Sequence, residues 1–122
     1  EEKELLEAPI QVQLPAGPQW VHINITGTNL STAQILALRI INNNNASKTF
    51  FAKIQDTHGN ATEQILFTLQ PGDKSYYIHL TELKEAIDLS NPAKLTLCFS
   101  WYGWEPNIDL TITNMTLITL KN

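Results

Sequence analysis

Short runs of strict apolar–polar alternation recur along this chain, and that period dictates strands rather than helices. Successive side chains of a strand point to opposite faces, so each run offers one face to a core and one to its surroundings. Ile10, Val12 and Leu14 alternate with Gln11 and Gln13, and Val21, Ile23 and Ile25 alternate with Trp20, His22 and Asn24. Leu36, Leu38 and Ile40 stand opposite Ala37 and Arg39, and Phe50, Ala52 and Ile54 stand opposite Phe51, Lys53 and Gln55. Tyr76, Ile78 and Leu80 mark a further strand. Leu95, Leu97, Phe99 and Trp101 alternate with Thr96, Cys98, Ser100 and Tyr102. Two runs rich in Thr, Ile and Leu, 108–112 and 115–120, close the chain.

Turn chemistry separates these runs. Pro15-Ala16-Gly17-Pro18 stops the first, because proline has no N–H for a ladder and glycine allows positive φ. Asn42 to Asn45 is a polar loop, the only segment of low complexity, and no internal repeat is present. His58-Gly59-Asn60 turns the chain back, so 49–55 and 64–69 read as a hairpin, and Pro71-Gly72 makes a second tight turn. Thr81 to Ala86 is expected to start a short helix with Thr81 as its N-cap. About eight short strands with a turn roughly every 8–14 residues predict an all-β fold, an antiparallel two-sheet β-sandwich. Residues 1–7 are helix-prone and acidic, so 1–8 is expected to be a linker or tail and 9–122 a single domain.

A chain of 122 residues accommodates one domain. Its charged share is 16%, low for a globular protein, and its formal charge is −4. Glu1, Glu2, Glu4 and Glu7 supply much of that charge; the chain beyond residue 7 carries 8 acids and 7 bases. Bases spread singly argue against nucleic acid as a partner. No apolar run approaches the ~20 residues of a membrane span, so no membrane insertion is expected. No basic segment leads into an apolar stretch at the start, so a signal peptide is expected to be absent or removed. Cys98 is the lone cysteine, which excludes an internal disulfide and reads as a buried thiol.

Catalytic signatures are missing. There is no glycine-rich phosphate loop, no H-E-x-x-H and no G-x-S-x-G. His22, His58 and His79 lie in separate segments without metal-ligand spacing. Asp56, Glu63, Asp73, Glu82, Glu85, Asp88, Glu105 and Asp109 fall mostly in turns or at strand ends, where solvated carboxylates are ordinary. The chain is expected not to be an enzyme, and a glycosidase-like carboxylate pair is a distant third reading.

The outward parity is unusual in its aromatics: Trp20, Phe51, Tyr77 and Tyr102 all fall on it. The segment Trp101-Tyr102-Gly103-Trp104 ends a strand, with Gly103 turning Trp104 out of the core. Flat apolar rings with polar tips suit sugar rings, which present C–H patches among hydroxyls. The plainer readings are that Trp101 continues the core, Trp104 caps the sandwich and Trp20 packs over the loop 15–18. Thr96, Cys98 and Ser100 form a row of small residues, a groove floor with Phe51, Lys53, Gln55 and Tyr102 as walls, unless Thr and Ser merely suit strands. Five N-x-[ST] sequons, at Asn24, Asn29, Asn45, Asn60 and Asn114, mark either a glycosylated secreted protein or simple Asn and Thr enrichment.

Thr28-Asn29-Leu30-Ser31-Thr32-Ala33 precedes the runs 35–41 and 50–55, then Asp56-Thr57-His58-Gly59, Leu69-Gln70-Pro71-Gly72, Ile87-Asp88-Leu89-Ser90 and the closing 110–117. In that order the motifs resemble the jelly-roll carbohydrate-binding modules appended to polysaccharide-degrading enzymes, over residues 10–120. The resemblance implies a β-sandwich with one concave sugar-binding sheet, no catalysis and no required cofactor. It further implies a possible structural calcium ion whose closing-strand carboxylate position falls here on Thr113 or Asn114, with Asp109 displaced. Binding residues are then expected first at Trp104 and Tyr102, with Trp101 beside them, and next at Phe51, Lys53, Gln55 and Trp20. Arg39, Tyr77 and His79 serve if the other sheet bears the ligand. The function expected is a non-catalytic module that binds a neutral polysaccharide or oligosaccharide, with little dependence on salt. Its expected setting is extracellular or at the cell surface, linked to a catalytic domain. The alternative is a structural or adhesive sandwich packed on a neighbouring domain.

Overall fold

The computed structural model describes residues 1–14, 20–99 and 108–120. Among the described residues nine strands appear in chain order: β1 (Glu2–Glu4), β2 (Ile10–Leu14), β3 (Trp20–Asn24), β4 (Ile35–Asn42), β5 (Lys48–Asp56), β6 (Ile65–Leu69), β7 (Gly72–His79), β8 (Pro92–Cys98) and β9 (Ile108–Ile118). One sheet runs β2-β9-β4-β7, with β1 also paired to β9, and the other runs β3-β8-β5-β6. All pairings are antiparallel. Consecutive strands from β2 to β5 alternate between the sheets, and β6 to β9 fold back over them. That is the double Greek key of a jelly roll.

The inward parity fills the space between the sheets. Leu36, Leu38 and Ile40 of β4 face Phe50, Ala52 and Ile54 of β5 and Leu95 and Leu97 of β8, all fully buried. Phe50 stacks between Phe67 and Phe99, with ring centroids 5.1 and 5.2 Å away, and meets Tyr76 edge-on at 5.5 Å. The Tyr76 hydroxyl leaves this apolar cluster satisfied, because it accepts the Gln70 N–H at 2.9 Å.

Two expected elements are corrected. The two closing runs are one strand, β9, with a β-bulge: Arg39 pairs with Asn114 and Ile40 with Ile112, leaving Thr113 extra. One inserted residue inverts the side-chain parity. Leu110 and Ile112 before the bulge, and Met115 and Leu117 after it, therefore all point inward. The helix at 81–86 is instead a single 3-10 turn, Leu80–Leu83, without a side-chain cap.

The acidic start is not a free tail. Glu2–Glu4 pairs with Thr116–Ile118, and Leu5 and Leu6 pack against the core. The Glu4 carboxylate accepts the Met115 N–H and the Asn114 amide, each at 2.8 Å, and further bonds from Leu6 N–H and Thr116 Oγ1. Burial opposes its ionisation, but these four donors outweigh it and hold the carboxyl below its usual range. The bulge thus exposes polar groups that a residue of β1 satisfies.

Asp56 is likewise not a solvated surface acid: it is 1% exposed. Its Oδ1 accepts the N–H groups of His58 and Asn60, and its Oδ2 accepts Asp88 N–H and the Asn60 amide. The carboxylate ties the β5–β6 turn to the segment before β8. The Asp88 bond first, and then those of Asn60 and His58, lower its pKa to about 2 against the opposing effect of burial. Because the folded pKa lies below the unfolded value of about 3.9, the stabilisation is present above about pH 4 and lost as pH falls towards 2. In Asp56→Asn an amide NH2 must face N–H donors. Thermal melts should show a Tm lower by upwards of about 5 °C at neutral pH, with the gap from the parent protein closing as pH falls from 4 to about 2. A gap that stays constant across that range would refute the role given to the carboxylate.

Candidate functional site

The outer face of β3-β8-β5-β6 gathers residues that are remote in sequence. Register sets three rows across it: Trp20, Cys98, Phe51 and Leu66; then His22, Thr96 and Lys53; then Asn24, Lys94 and Gln55. The first row is apolar and the next two are polar. Cys98 is fully buried and Thr96 is 7% exposed, so the middle strand is a low floor between higher neighbours.

Two adjoining hollows open on this floor. One, of about 470 Å³, is lined by His22, Asn24, Thr26, Gln55, Ala93 and Lys94. The second, of about 190 Å³, shares His22, Gln55 and Lys94 and adds Trp20, Lys53 and Thr96. Together they form a groove with an indole at one end and amide, imidazole and ammonium groups along it. His22 Nδ1 lies 3.0 Å from Thr96 Oγ1, which fixes the imidazole over the floor. Trp20 stays 40% exposed and meets the buried Phe51 edge-on, with centroids 5.4 Å apart and planes at 76°. The indole is thus packed against Phe51 while much of it stays exposed.

Of the residues expected from sequence, Trp20, Lys53 and Gln55 are brought together in this groove. Phe51 lies on the expected face but is fully buried, with its ring packed edge-on against Trp20. Trp101, Tyr102 and Trp104 lie outside the described residues, as does Ser100. Sequence reasoning passed over His22, Asn24 and Lys94. The signal for Lys94 was available, because the small-residue parity of Thr96 and Cys98 extends two residues back to it.

The opposite face carries the alternative set. Tyr77, half exposed, and Arg39 border a hollow of about 390 Å³ with Glu2, Ser75, Asn114 and Thr116. Here Arg39 is already engaged: its guanidinium grips Asp73 through two N–H···O bonds, which raises its own pKa and lowers that of Asp73. His79 lies on β7 at the end of that sheet, opposite Ile35. An arginine committed to a carboxylate has less to offer a ligand than the amide and ammonium groups of the groove.

The residues at the implied calcium position do not fit a cation. Thr113 Oγ1 donates to the Arg39 carbonyl, the Asn114 amide donates to Glu4, and Asp109 accepts from Asn43 and, at 3.4 Å, from Gln13. Donors converge on Glu4 where a cation would need oxygen lone pairs. Among the described residues, no group of three or more His, Cys, Asp or Glu could hold a metal ion.

No protein-family model matches the sequence, and no curated protein matches it. Solved structures do match. PfGH50B superposes with a TM-score of 0.76 at 13% identity, over 100% of this chain and 22% of that one. An exo-beta-agarase superposes at 0.74 and 14% identity, over 99% of this chain and 22% of its own. A family 11 carbohydrate-binding module from Clostridium thermocellum, solved with a beta-1,3-1,4-mixed-linked tetrasaccharide, superposes at 0.58 and 12% identity, with 99% and 98% covered. The chain therefore has the β-sandwich fold of carbohydrate-binding modules. It spans about a fifth of the length of the first two structures and nearly all of the third.

Proposed function

We propose that this chain is a non-catalytic carbohydrate-binding module that holds a polysaccharide in the groove of the β3-β8-β5-β6 sheet. One observation carries the reading: an exposed indole, braced by a buried phenyl ring, stands at the end of a sheet-wide groove lined by Lys53, Gln55, Lys94 and His22. Trp20 stacks on a sugar face, and the polar groups beyond it take up hydroxyls. The fold shared with a tetrasaccharide-bound module, and with part of agarase structures, supports both the ligand class and an accessory place beside a catalytic domain. An extracellular or cell-surface setting follows from a polymeric glycan ligand.

Migration through gels loaded with single glycans tests this. The protein should be retarded by at least one of a mixed-linked β-glucan, agarose, polygalacturonate or a sulfated galactan, and no reducing sugar should be released. If none retards it, the sandwich is a packing domain and the proposal fails.

The same reading assigns no structural calcium, since the Thr113 hydroxyl is taken up by the Arg39 carbonyl and the Asn114 amide by Glu4. Adding a chelator should leave Tm within about 1 °C of the untreated protein. A larger drop that added calcium restores would reverse this assignment.

A further inference from the structure

Charge on the groove is one-sided. The outward positions of β3, β8, β5 and β6 include Lys53, Lys94 and His22 and no carboxylate. Lys53 pairs with Thr96, and Lys94 lies two residues along the same strand, opposite Gln55, so the two lysines are diagonal neighbours on adjacent strands. Their Cβ atoms are then within about 8 Å, near enough for the charges to add in one place. Both side chains are half-buried, with their stems along the sheet. Among the described residues, the ion pairs are Arg39 with Asp73 and His58 with Asp88, and neither lysine takes part.

Like charges on neighbouring positions of a sheet repel. A neutral hydroxylated ligand leaves that repulsion in place, whereas an anionic group set between the ammonium ions removes it and forms charge-assisted hydrogen bonds. The floor fits such a guest: Thr96, which adjoins both lysines, is low and small. Resting on the binding-module reading above, we infer that the groove takes an anionic polysaccharide. Trp20 stacks on one sugar while Lys53 and Lys94 together hold the carboxylate or sulfate group of a neighbouring one. This differs from the neutral ligand and weak salt dependence expected from the sequence. The scarcity of charge over the whole chain hides its concentration on one face.

The overall charge of −4 makes the test clean, because it disfavours indiscriminate attraction to polyanions. Affinity gels of polygalacturonate and of a sulfated galactan should retard the protein, and the stronger of the two identifies carboxylate or sulfate as the recognised group. Mixed-linked β-glucan and agarose gels should retard it at least about tenfold more weakly. Raising salt from about 0.1 to about 1 M shortens the Debye length from about 10 to about 3 Å, so retention should fall by about tenfold or more. Lys53→Gln with Lys94→Gln should abolish retention at unchanged Tm. Lys74→Gln with Lys84→Gln makes the same charge change outside the groove and should keep it.

Equal loss in both double variants would show ion exchange only and overturn the inference. So would stronger retention by the neutral gels that is insensitive to salt and to Lys53→Gln with Lys94→Gln; that result leaves the binding-module reading standing. Retention by no gel overturns both.

Discussion

Trp20→Ala should weaken glycan binding by roughly thirtyfold while leaving the protein folded. Tryptophan anchors in binding sites are commonly worth about 2 kcal/mol or more, and each 1.4 kcal/mol is about tenfold in affinity. Trp20 is 40% exposed, so its removal takes away a ligand platform and little core. Phe51 beneath it is fully buried and would become the new surface, which does not reproduce the raised ring. Tyr77→Ala, on the opposite sheet, makes the converse comparison. Titration calorimetry with a glycan that the parent protein binds decides between the faces. Loss with Tyr77→Ala and retention with Trp20→Ala would move the site to the sheet of β4, β7 and β9.

Phe50→Ala should cost about 3–5 kcal/mol, a large part of the stability of about 5–15 kcal/mol usual for one domain. Phe50 is fully buried and, among the described residues, touches three other rings, from β6, β7 and the end of β8. Those rings belong to both sheets, so the cavity opens between the layers and no single strand can move to fill it. A fall in Tm of roughly 10–20 °C is expected, with Phe50→Leu falling between the two proteins. If Phe50→Ala melts within about 2 °C of the parent, the ring cluster does not clamp the sheets as described.

Where alternation was strict, the sequence was enough to place strands. The parities of Ile23 and Ile25, Leu36 to Ile40 and Leu95 to Phe99 all face inward as expected. It fell short where one residue breaks the period. Thr113 inverts the parity within β9, so one bent strand reads as two. Glu4 was illegible for a related reason: its partners on β9 are 110 to 112 residues away, and local propensity for a helix says nothing about them. Asp56 carried a motif and a turn, but that both its oxygens are filled from two segments is a fact of three dimensions.

The proposed binding face divides in the same way. By itself the sequence determined that Trp20, Phe51, Lys53 and Gln55 point away from the core, because side-chain direction along a strand has a period of two and needs no partner. It could not say which strands lie side by side. Strand order and register, set by non-local pairing, put Trp20 and Phe51 in one row and His22, Lys53 and Lys94 around one floor. Depth was decided there too: Phe51 shares its parity with Trp20 yet is buried, because it lies inside the sheet while Trp20 opens the edge strand. A count of charges along the chain gave a nearly neutral body. Only the folded sheet shows that two of the positive ones stand together with no carboxylate between them.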